Sequence, residues 1–188
     1  KVISGAFEIY QRLLGFEFTR VEFMESTFWH SEVELYQVTD VETSETIGYF
    51  YLDLYPREGK YSHAAMFTLI RKSQYNLPVS AIVCNFDPEL NVEFDNVVTF
   101  FHEFGHIMHQ TLTKARYASL SGSNVAQDFV EAPSQMLENW VWDVEILSKL
   151  SGHYTDHNQQ LPKELLDKMV AAHDFLQASY YSQQVLYS

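Results

Sequence analysis

The residues with the clearest chemical potential are two histidines four positions apart, His102 and His106, with Glu103 directly after the first. On a helix, residues i and i+4 lie on one face, so the two imidazoles can bind one ion. Zn²⁺ accepts such a pair together with a third protein ligand and leaves its fourth position to water. Glu103, one step round the helix, can take a proton from that water. The spacing therefore predicts a zinc site with a general base.

The segment around this motif predicts a buried helix. Asp95 or Asn96 can cap its start, and apolar residues follow at helical intervals over most of the circumference. Charged residues are rarely buried in full unless they are paired or bind metal. Gly105 costs about 1 kcal/mol against alanine inside a helix, and close approach of another backbone is a common reason to accept it. Metal binding is favoured over two core histidines beside a surface glutamate.

The third ligand has to come from another segment. The metzincin pattern fails because its glycine and last histidine are replaced by His109 and Leu112. Residues 129–142 carry apolar residues at helical spacing with Pro133 near their start, which predicts a second helix. Glu131 then stands at the start of that helix, where the macrodipole favours an acid. We take Glu131 as the third ligand.

Four further polar residues are candidates to orient the histidines by hydrogen bonds that do not involve the metal: Asp128, Gln135, Glu138 and His109. For Asp128 the alternative is a plain helix N-cap, and for Glu138 it is a solvated or structural salt bridge. His109 shares the helix face of the other two histidines, so a fourth protein ligand is conceivable. Because such a closed site leaves no position for water, we interpret His109 as a supporting or core residue.

These motifs resemble those of the thimet oligopeptidase, neurolysin and oligopeptidase A family of zinc peptidases. The similarity lies in FHEFGHIMHQ (101–110) and SGSNVAQDFVEAPSQMLENWVW (121–142), and continues in YLDLYPREGKYSHAA (51–65) and SGHYTDHNQQLPKELLDKM (151–169). The resemblance implies zinc on His102, His106 and Glu131, with Glu103 as the general base. This implied site agrees with the one inferred from spacing.

The resemblance implies a zinc endopeptidase that hydrolyses short peptides. The alternatives are a dipeptidyl carboxypeptidase of the same family, a zinc-binding or peptide-binding module without catalysis, and a structural domain without metal. Glu103 favours the enzyme, because a pure zinc scaffold has no need of an acid beside its first ligand.

Charge and composition limit the partners. The chain has 12 Lys and Arg against 25 Asp and Glu, and its net charge of −13 argues against nucleic acid and anionic membranes. It contains no apolar stretch of about 18 residues, so no membrane span is expected. Cys84, the only cysteine, lies in an apolar run and is predicted to be a buried thiol, which fits a reducing, cytoplasmic compartment.

Members of the resembled family are several times longer than 188 residues. We therefore expect residues 1–188 to form one partial catalytic domain, whose partners are short peptides and the remainder of a longer chain. The resemblance places oxyanion-stabilising Tyr and His side chains on a glycine-rich segment that this sequence does not contain. The isolated chain is expected to bind one zinc ion and to cleave little.

The predicted fold is α+β, with a small, mostly antiparallel sheet followed by zinc-binding helices. Helical spacing covers 3–14 and stops at Gly15, and strand patterns cover 16–22, 33–40, 46–55, 65–70 and 79–86. Residues 26–33 predict a turn or short helix. The helix of Glu131 is expected to run to about Leu150, and Pro162 starts a last helix. The apolar residues of its tail are interpreted as core contacts, made either within this chain or to missing parts of a longer one. The helix and sheet occupy 1–90, and the zinc-binding helices occupy 91–188.

The segment from Tyr55 to Ile70 is the candidate peptide-binding region. Its second half predicts an edge strand, and edge strands can hold an extended peptide by β-augmentation. In the resembled family this edge lies beside the zinc. The candidate substrate-binding residues are Tyr61, His63, Ala64 and Ala65, and the alternative is that the first two are ordinary loop residues.

Overall fold

The computed structural model describes residues 1–22, 28–87, 92–153, 155–156, 159–175 and 177–187, so the turn predicted over 26–33 lies partly outside it. Its strands are β1 (Phe16–Val21), β2 (Glu34–Asp40), β3 (Thr46–Asp53), β4 (Ala65–Ile70) and β5 (Val79–Val83). Its α-helices are α1 (Val2–Leu14), α2 (Phe94–Thr111), α3 (Ala132–Glu138), α4 (Val144–Leu150), α5 (Lys163–Asp174) and α6 (Gln177–Tyr187). The predicted α+β class is confirmed.

The five strands form one sheet in the order β1-β2-β3-β5-β4. All neighbouring pairs are antiparallel except β3 and β5, which run parallel. The prediction of a mostly antiparallel sheet is confirmed, as is the edge position of β4. Because β5 enters between β3 and β4, the strand that follows β3 in sequence is displaced to the rim. This displacement leaves one side of β4 open among the described residues.

Helix α2 is held by a buried aromatic core. Its Phe100, Phe101 and Phe104 are fully buried, and it packs on β3, β4 and β5. From α1, the ring of Tyr10 lies 4.8 Å from that of Phe104, and its hydroxyl donates to the carbonyl oxygen of Phe101 at 2.8 Å. The predicted buried helix is confirmed. Its start differs from the prediction, because it begins at Phe94 and no side-chain cap is found.

Two helices predicted to be continuous are interrupted. The helix of Glu131 ends after Glu138, passes through the 3-10 turn Asn139–Trp142 and restarts as α4. The physical reason is Asp143, whose Oδ1 accepts hydrogen bonds from two backbone amides of the first turn of α4 and so caps a new helix. The last helix breaks at Phe175, which is extended with φ −65° and ψ 124°, and resumes as α6.

Helix α6 does not pack as core. Its larger apolar side chains Tyr180, Tyr181, Val185 and Leu186 are 58 to 83% exposed, so no core forms around them among the described residues, and contacts to further parts of a longer chain stay a prediction. Helical spacing reports the face on which apolar residues lie but not whether another element covers it. Among the described helices, none combines the length and the apolar character that a membrane crossing requires.

A buried ion network closes the end of the parallel β3–β5 pair. Asp53 is 3% exposed and accepts hydrogen bonds from Arg57 Nη1 at 2.6 Å and Trp29 Nε1 at 2.8 Å. Lys60 Nζ lies 2.8 Å from the same carboxylate. Burial alone raises the pKa of Asp53, but the hydrogen bonds from these three partners outweigh it and hold the pKa well below its usual range.

The substitution Asp53→Asn is expected to flatten the acid dependence of folding. Because the pKa of Asp53 is lowered in the folded state, its stabilisation is present above about pH 4 and is lost as the pH falls towards the folded pKa. Denaturant unfolding of the wild type should therefore weaken more steeply than that of the variant between about pH 4 and pH 2. The matched control is Asp167→Asn on the exposed surface of α5, which should keep the wild-type slope. Parallel profiles for wild type and Asp53→Asn would contradict the network's role.

Candidate metal centre

The structure brings the three predicted metal ligands together. His102 and His106 lie on one face of α2 with their ring centroids 4.9 Å apart. Glu131, the N-cap of α3, places its Oε2 3.0 Å from Nε2 of His102 and 3.2 Å from Nε2 of His106. One donor atom from each residue lies within 4.8 Å of the others. Two segments about 25 positions apart in sequence thus converge on one point.

A close backbone contact causes this convergence. A Cβ atom added to Gly105 would lie 2.8 Å from the Cα of Ser134, which is closer than real Cβ contacts allow. The first turn of α3 therefore rests directly on the backbone of α2. Glu131 stands three residues before Ser134 and is carried over the histidine pair. The close approach expected at Gly105 is observed.

Glu138, at the far end of α3, orients His102. Its Oε2 accepts a hydrogen bond from Nδ1 of His102 at 2.7 Å. This bond raises the pKa of His102, and it assigns the Nδ1 proton so that the other ring nitrogen faces Glu131. The ion pair considered for Glu138 is thus made with the candidate ligand itself.

Glu131 is fixed from its own helix. The hydroxyl of Ser134 lies 2.9 Å from Oε2 of Glu131. Burial acts to raise the pKa of Glu131, but the hydrogen bond from Ser134 and the nearby imidazoles His106 and His102 outweigh it and lower the pKa. A lowered pKa favours the ionised carboxylate, which is the form that can bind a metal ion.

Three other candidate residues stand further from the convergence point. His109 is half-buried with its ring 6.2 Å from that of Phe129, and burial, followed by the charge of His106, lowers its pKa. It does not belong to the group of metal-binding atoms found among the described residues. Asp128 and Gln135 are exposed, and within the described part of the chain neither side chain makes a hydrogen bond. Asp128 is also not the N-cap, since Glu131 takes that position.

Glu103 is anchored to the edge of the sheet. Its Oε2 accepts a hydrogen bond from the backbone amide of Met66 in β4 at 2.7 Å. In an antiparallel pair, backbone groups of successive residues alternate between the partner strand and the opposite side. Since the Met66 amide is engaged by Glu103 rather than by β5, the carboxylate lies at the open side of β4.

The candidate substrate-binding residues lie at the entrance to the same strand. Asn85 Nδ2 donates to the carbonyl oxygen of Tyr61 at 3.0 Å and fixes the loop. The exposed ring of Tyr61 lies 5.6 Å from that of His63 and 5.7 Å from that of Phe67 on β4. Ala64 and Ala65 follow directly and are half-buried.

The donor set fits a zinc ion. Two imidazole nitrogens and one carboxylate oxygen form the ligand set of zinc sites that keep an open position. Two ligands about 2.1 Å from one ion at a tetrahedral angle lie about 3.4 Å apart. The separations of 3.0 and 3.2 Å between Glu131 and the two histidines are close to that value.

Comparison with known proteins agrees with this geometry. Residues 1–188 match the model of Peptidase family M3. The chain belongs to Peptidase family M3. It is 45% identical to a thimet-like oligopeptidase of Dictyostelium discoideum and 42% identical to oligopeptidase A of Salmonella typhimurium, over 98% of this chain in both cases. It is 36% identical to saccharolysin of Saccharomyces cerevisiae over 89% of this chain.

The chain spans only part of these M3 relatives. The matched region covers 29% of the Dictyostelium protein, 28% of the Salmonella protein and 26% of saccharolysin. The M3 family is in general zinc-dependent, which agrees with the donor set on α2 and α3.

Two contacts in the site were not predicted from the sequence. The hydroxyl of Ser134 stands three residues after Glu131, and this i, i+3 spacing on a helix could have revealed it. The Met66 amide has no such signal, because a backbone donor leaves no mark in the sequence and its position depends on how β4 meets α2.

The substitution Gly105→Ala is expected to weaken zinc binding and stability together. Alanine has the higher helix propensity by about 1 kcal/mol, but the added methyl group would press on the backbone of Ser134 and move α3 with Glu131. Zinc affinity measured by chelator competition should fall about tenfold or more, with a lower Tm.

The matched control is Gly5→Ala in α1. There the added Cβ meets the end of the Leu150 side chain, which can rotate away, so the zinc affinity should not change. Wild-type zinc affinity in Gly105→Ala would contradict the dependence of Glu131 on this contact.

Proposed function

We propose that this chain carries the zinc-binding part of an M3 metallopeptidase that hydrolyses short oligopeptides by endopeptidase action. The observation that supports it best is the convergence of His102, His106 and Glu131 within 4.8 Å, beside a glutamate held at an open strand edge. The domain proposed is one partial catalytic domain over 1–188, and its partners are short peptides and further parts of a longer chain.

Each group has a distinct part in the proposed reaction. Zn²⁺ on the three ligands would supply Lewis-acid polarisation of a peptide carbonyl and of water. Glu103 accepts the proton of the attacking water and later passes it to the amine nitrogen that leaves. The Met66 amide holds Oε2 of Glu103, which leaves Oε1 to receive the proton. Glu138, through His102, keeps one imidazole oriented for the metal, and we propose lesser supporting roles for Asp128, Gln135 and His109.

The proposed peptide site is the open side of β4. Because Glu103 engages the Met66 amide there, the next backbone groups that face the same side belong to Thr68. A peptide added to this edge would pass directly in front of Glu103. Tyr61, His63, Ala64 and Ala65 lie at the start of this edge, and we propose that they contact the substrate.

The anchoring of Glu103 favours an enzyme over a zinc scaffold without catalysis. A structural site has no use for an acid that is aimed beside the metal by a hydrogen bond from another element. The proposed compartment is the cytoplasm, on the ground of the buried free thiol of Cys84. The relatives also include a mitochondrial intermediate peptidase of Arabidopsis thaliana.

The substitution Glu103→Gln tests the general base. Glutamine preserves size and polarity but cannot accept the proton, so zinc content should stay at one ion per chain while turnover is lost. Cleavage of a quenched fluorescent nonapeptide should be measured in the longest available form of the protein, with and without a chelator. A rate near that of the wild type, or a loss of zinc, would disprove the assignment.

The substitution Glu131→Ala tests the third ligand. Because it removes a metal donor, zinc affinity should fall more than it does in Glu138→Gln, which removes only a carboxylate behind His102 and is expected to cost about 10- to 100-fold. Chelator competition on the 188-residue chain measures both variants under the same conditions. Equal affinities for Glu131→Ala and wild type would point to a different third ligand.

A further inference from the structure

Lys60 is a buried cation without a part in the proposed reaction. Its side chain is 3% exposed, although lysine is among the residues least often buried. The ammonium group contacts Oδ1 of Asp53 at 2.8 Å. It also donates to three backbone carbonyl oxygens, those of Asp53 at 2.9 Å, Tyr55 at 2.6 Å and Cys84 at 2.5 Å.

These oxygens come from the ends of two strands and from the loop that follows one of them. Asp53 is the last residue of β3, and Cys84 directly follows β5, which runs parallel to β3. Tyr55 belongs to the loop that leaves β3. Lys60 therefore ties the loop to the carboxyl ends of both strands through one charged group. The ammonium group brings three N–H donors and a positive charge to these four oxygens, and a neutral apolar side chain of the same length would leave them without a donor in a buried position.

The loop held in this way leads directly into β4. Five residues separate Lys60 from Met66, whose amide donates to Glu103. The loop is fixed on its other side by Arg57, which binds the carboxylate of Asp53, and by Asn85, which binds the carbonyl of Tyr61. The position at which β4 begins is thus determined by contacts at the end of the β3–β5 pair.

The network also lies close to the proposed base. Cys84, whose carbonyl Lys60 binds, has a thiol that is fully buried, and its pKa is raised by burial to about 12, with a further contribution from the charge of Glu103. The charge of Glu103 therefore acts on Cys84, the residue at the end of β5 whose carbonyl oxygen Lys60 binds. A displacement of this end would be transmitted to β4 and its contact with Glu103.

We propose that Lys60, paired with Asp53, is a positioning residue that sets β4 against Glu103 and so aligns the peptide edge with the metal site. The proposal rests on the proposed peptidase function. It differs from a purely stabilising role, because it requires a local effect at Met66 and an effect on ligands that reach β4.

The first test is amide hydrogen exchange of the metal-free 188-residue chain. In Lys60→Met, exchange at Met66 should rise about tenfold or more, while amides of the β1–β2 pair change little. The matched control is Arg20→Met, which removes a cation paired with Glu34 at 2.9 Å on a side chain that is 60% exposed. This control should leave Met66 protection at the wild-type level.

The second test compares two ligands of the zinc-loaded chain. Acetohydroxamate can reach only the metal, whereas a peptidyl hydroxamate also extends along β4. Lys60→Met should weaken the peptidyl ligand about tenfold and leave acetohydroxamate and zinc affinity within about twofold. A merely structural role would not separate the two ligands.

Each outcome has a clear consequence. Unchanged Met66 exchange overturns the proposal, and so does a uniform loss of protection across the sheet, because the network would then serve only the fold. Equal weakening of both hydroxamates also overturns it. If the wild-type chain takes up no zinc, the proposed function fails instead, and Met66 exchange still decides the role of Lys60.

Discussion

The site depends on one contact between two helix backbones, at Gly105 and Ser134. A side chain on Gly105 would occupy the space that the first turn of α3 fills, at 2.8 Å from the Cα of Ser134. Only glycine permits the approach, and its cost to the helix of about 1 kcal/mol is small beside the loss of a metal ligand. The contact places Glu131 above the histidines at one end of α3 and Glu138 behind His102 at the other. A helix of two turns thus supplies both a candidate ligand and the carboxylate that orients another.

Such a contact is useful only if α2 itself cannot shift. Metal ligands have to be held to within about half an ångström, and side chains on packed helices meet that demand better than side chains on loops. The Phe100, Phe101 and Phe104 rings are fully buried, and Tyr10 of α1 ties its hydroxyl to the backbone of α2. The sheet covers the helix on the side of β3, β4 and β5. The histidines therefore project from a helix that is held by α1 and by the sheet.

The convergence of the three candidate ligands could be predicted from the sequence because it depends on local periodicity. His102 and His106 lie on the same face of any α-helix because they are four residues apart. Pro133 indicates the start of the helix at which Glu131 stands. What could not be predicted depends on pairing at a distance. Nothing in the residues of β5 indicates that it would insert beside β3, so the edge position of β4 was predicted but the parallel pairing that produces it was not. The capping of α4 by Asp143 likewise outweighed a continuous apolar pattern, since two amide bonds decide a helix end locally.

The candidate metal ligands and the proposed base are positioned by different parts of the fold. The candidate ligands depend on α2 and α3, whereas Glu103 is oriented by its hydrogen bond to β4. The position of the first residues of β4 depends in turn on the buried Lys60. The two systems meet only at adjacent residues of α2, His102 and Glu103. A helix fixes the angle between neighbouring side chains, so an acid locked to the sheet is also locked relative to the metal ligands. The register of β4 along this helix therefore determines both how the base is aimed and which part of an extended peptide would lie before it.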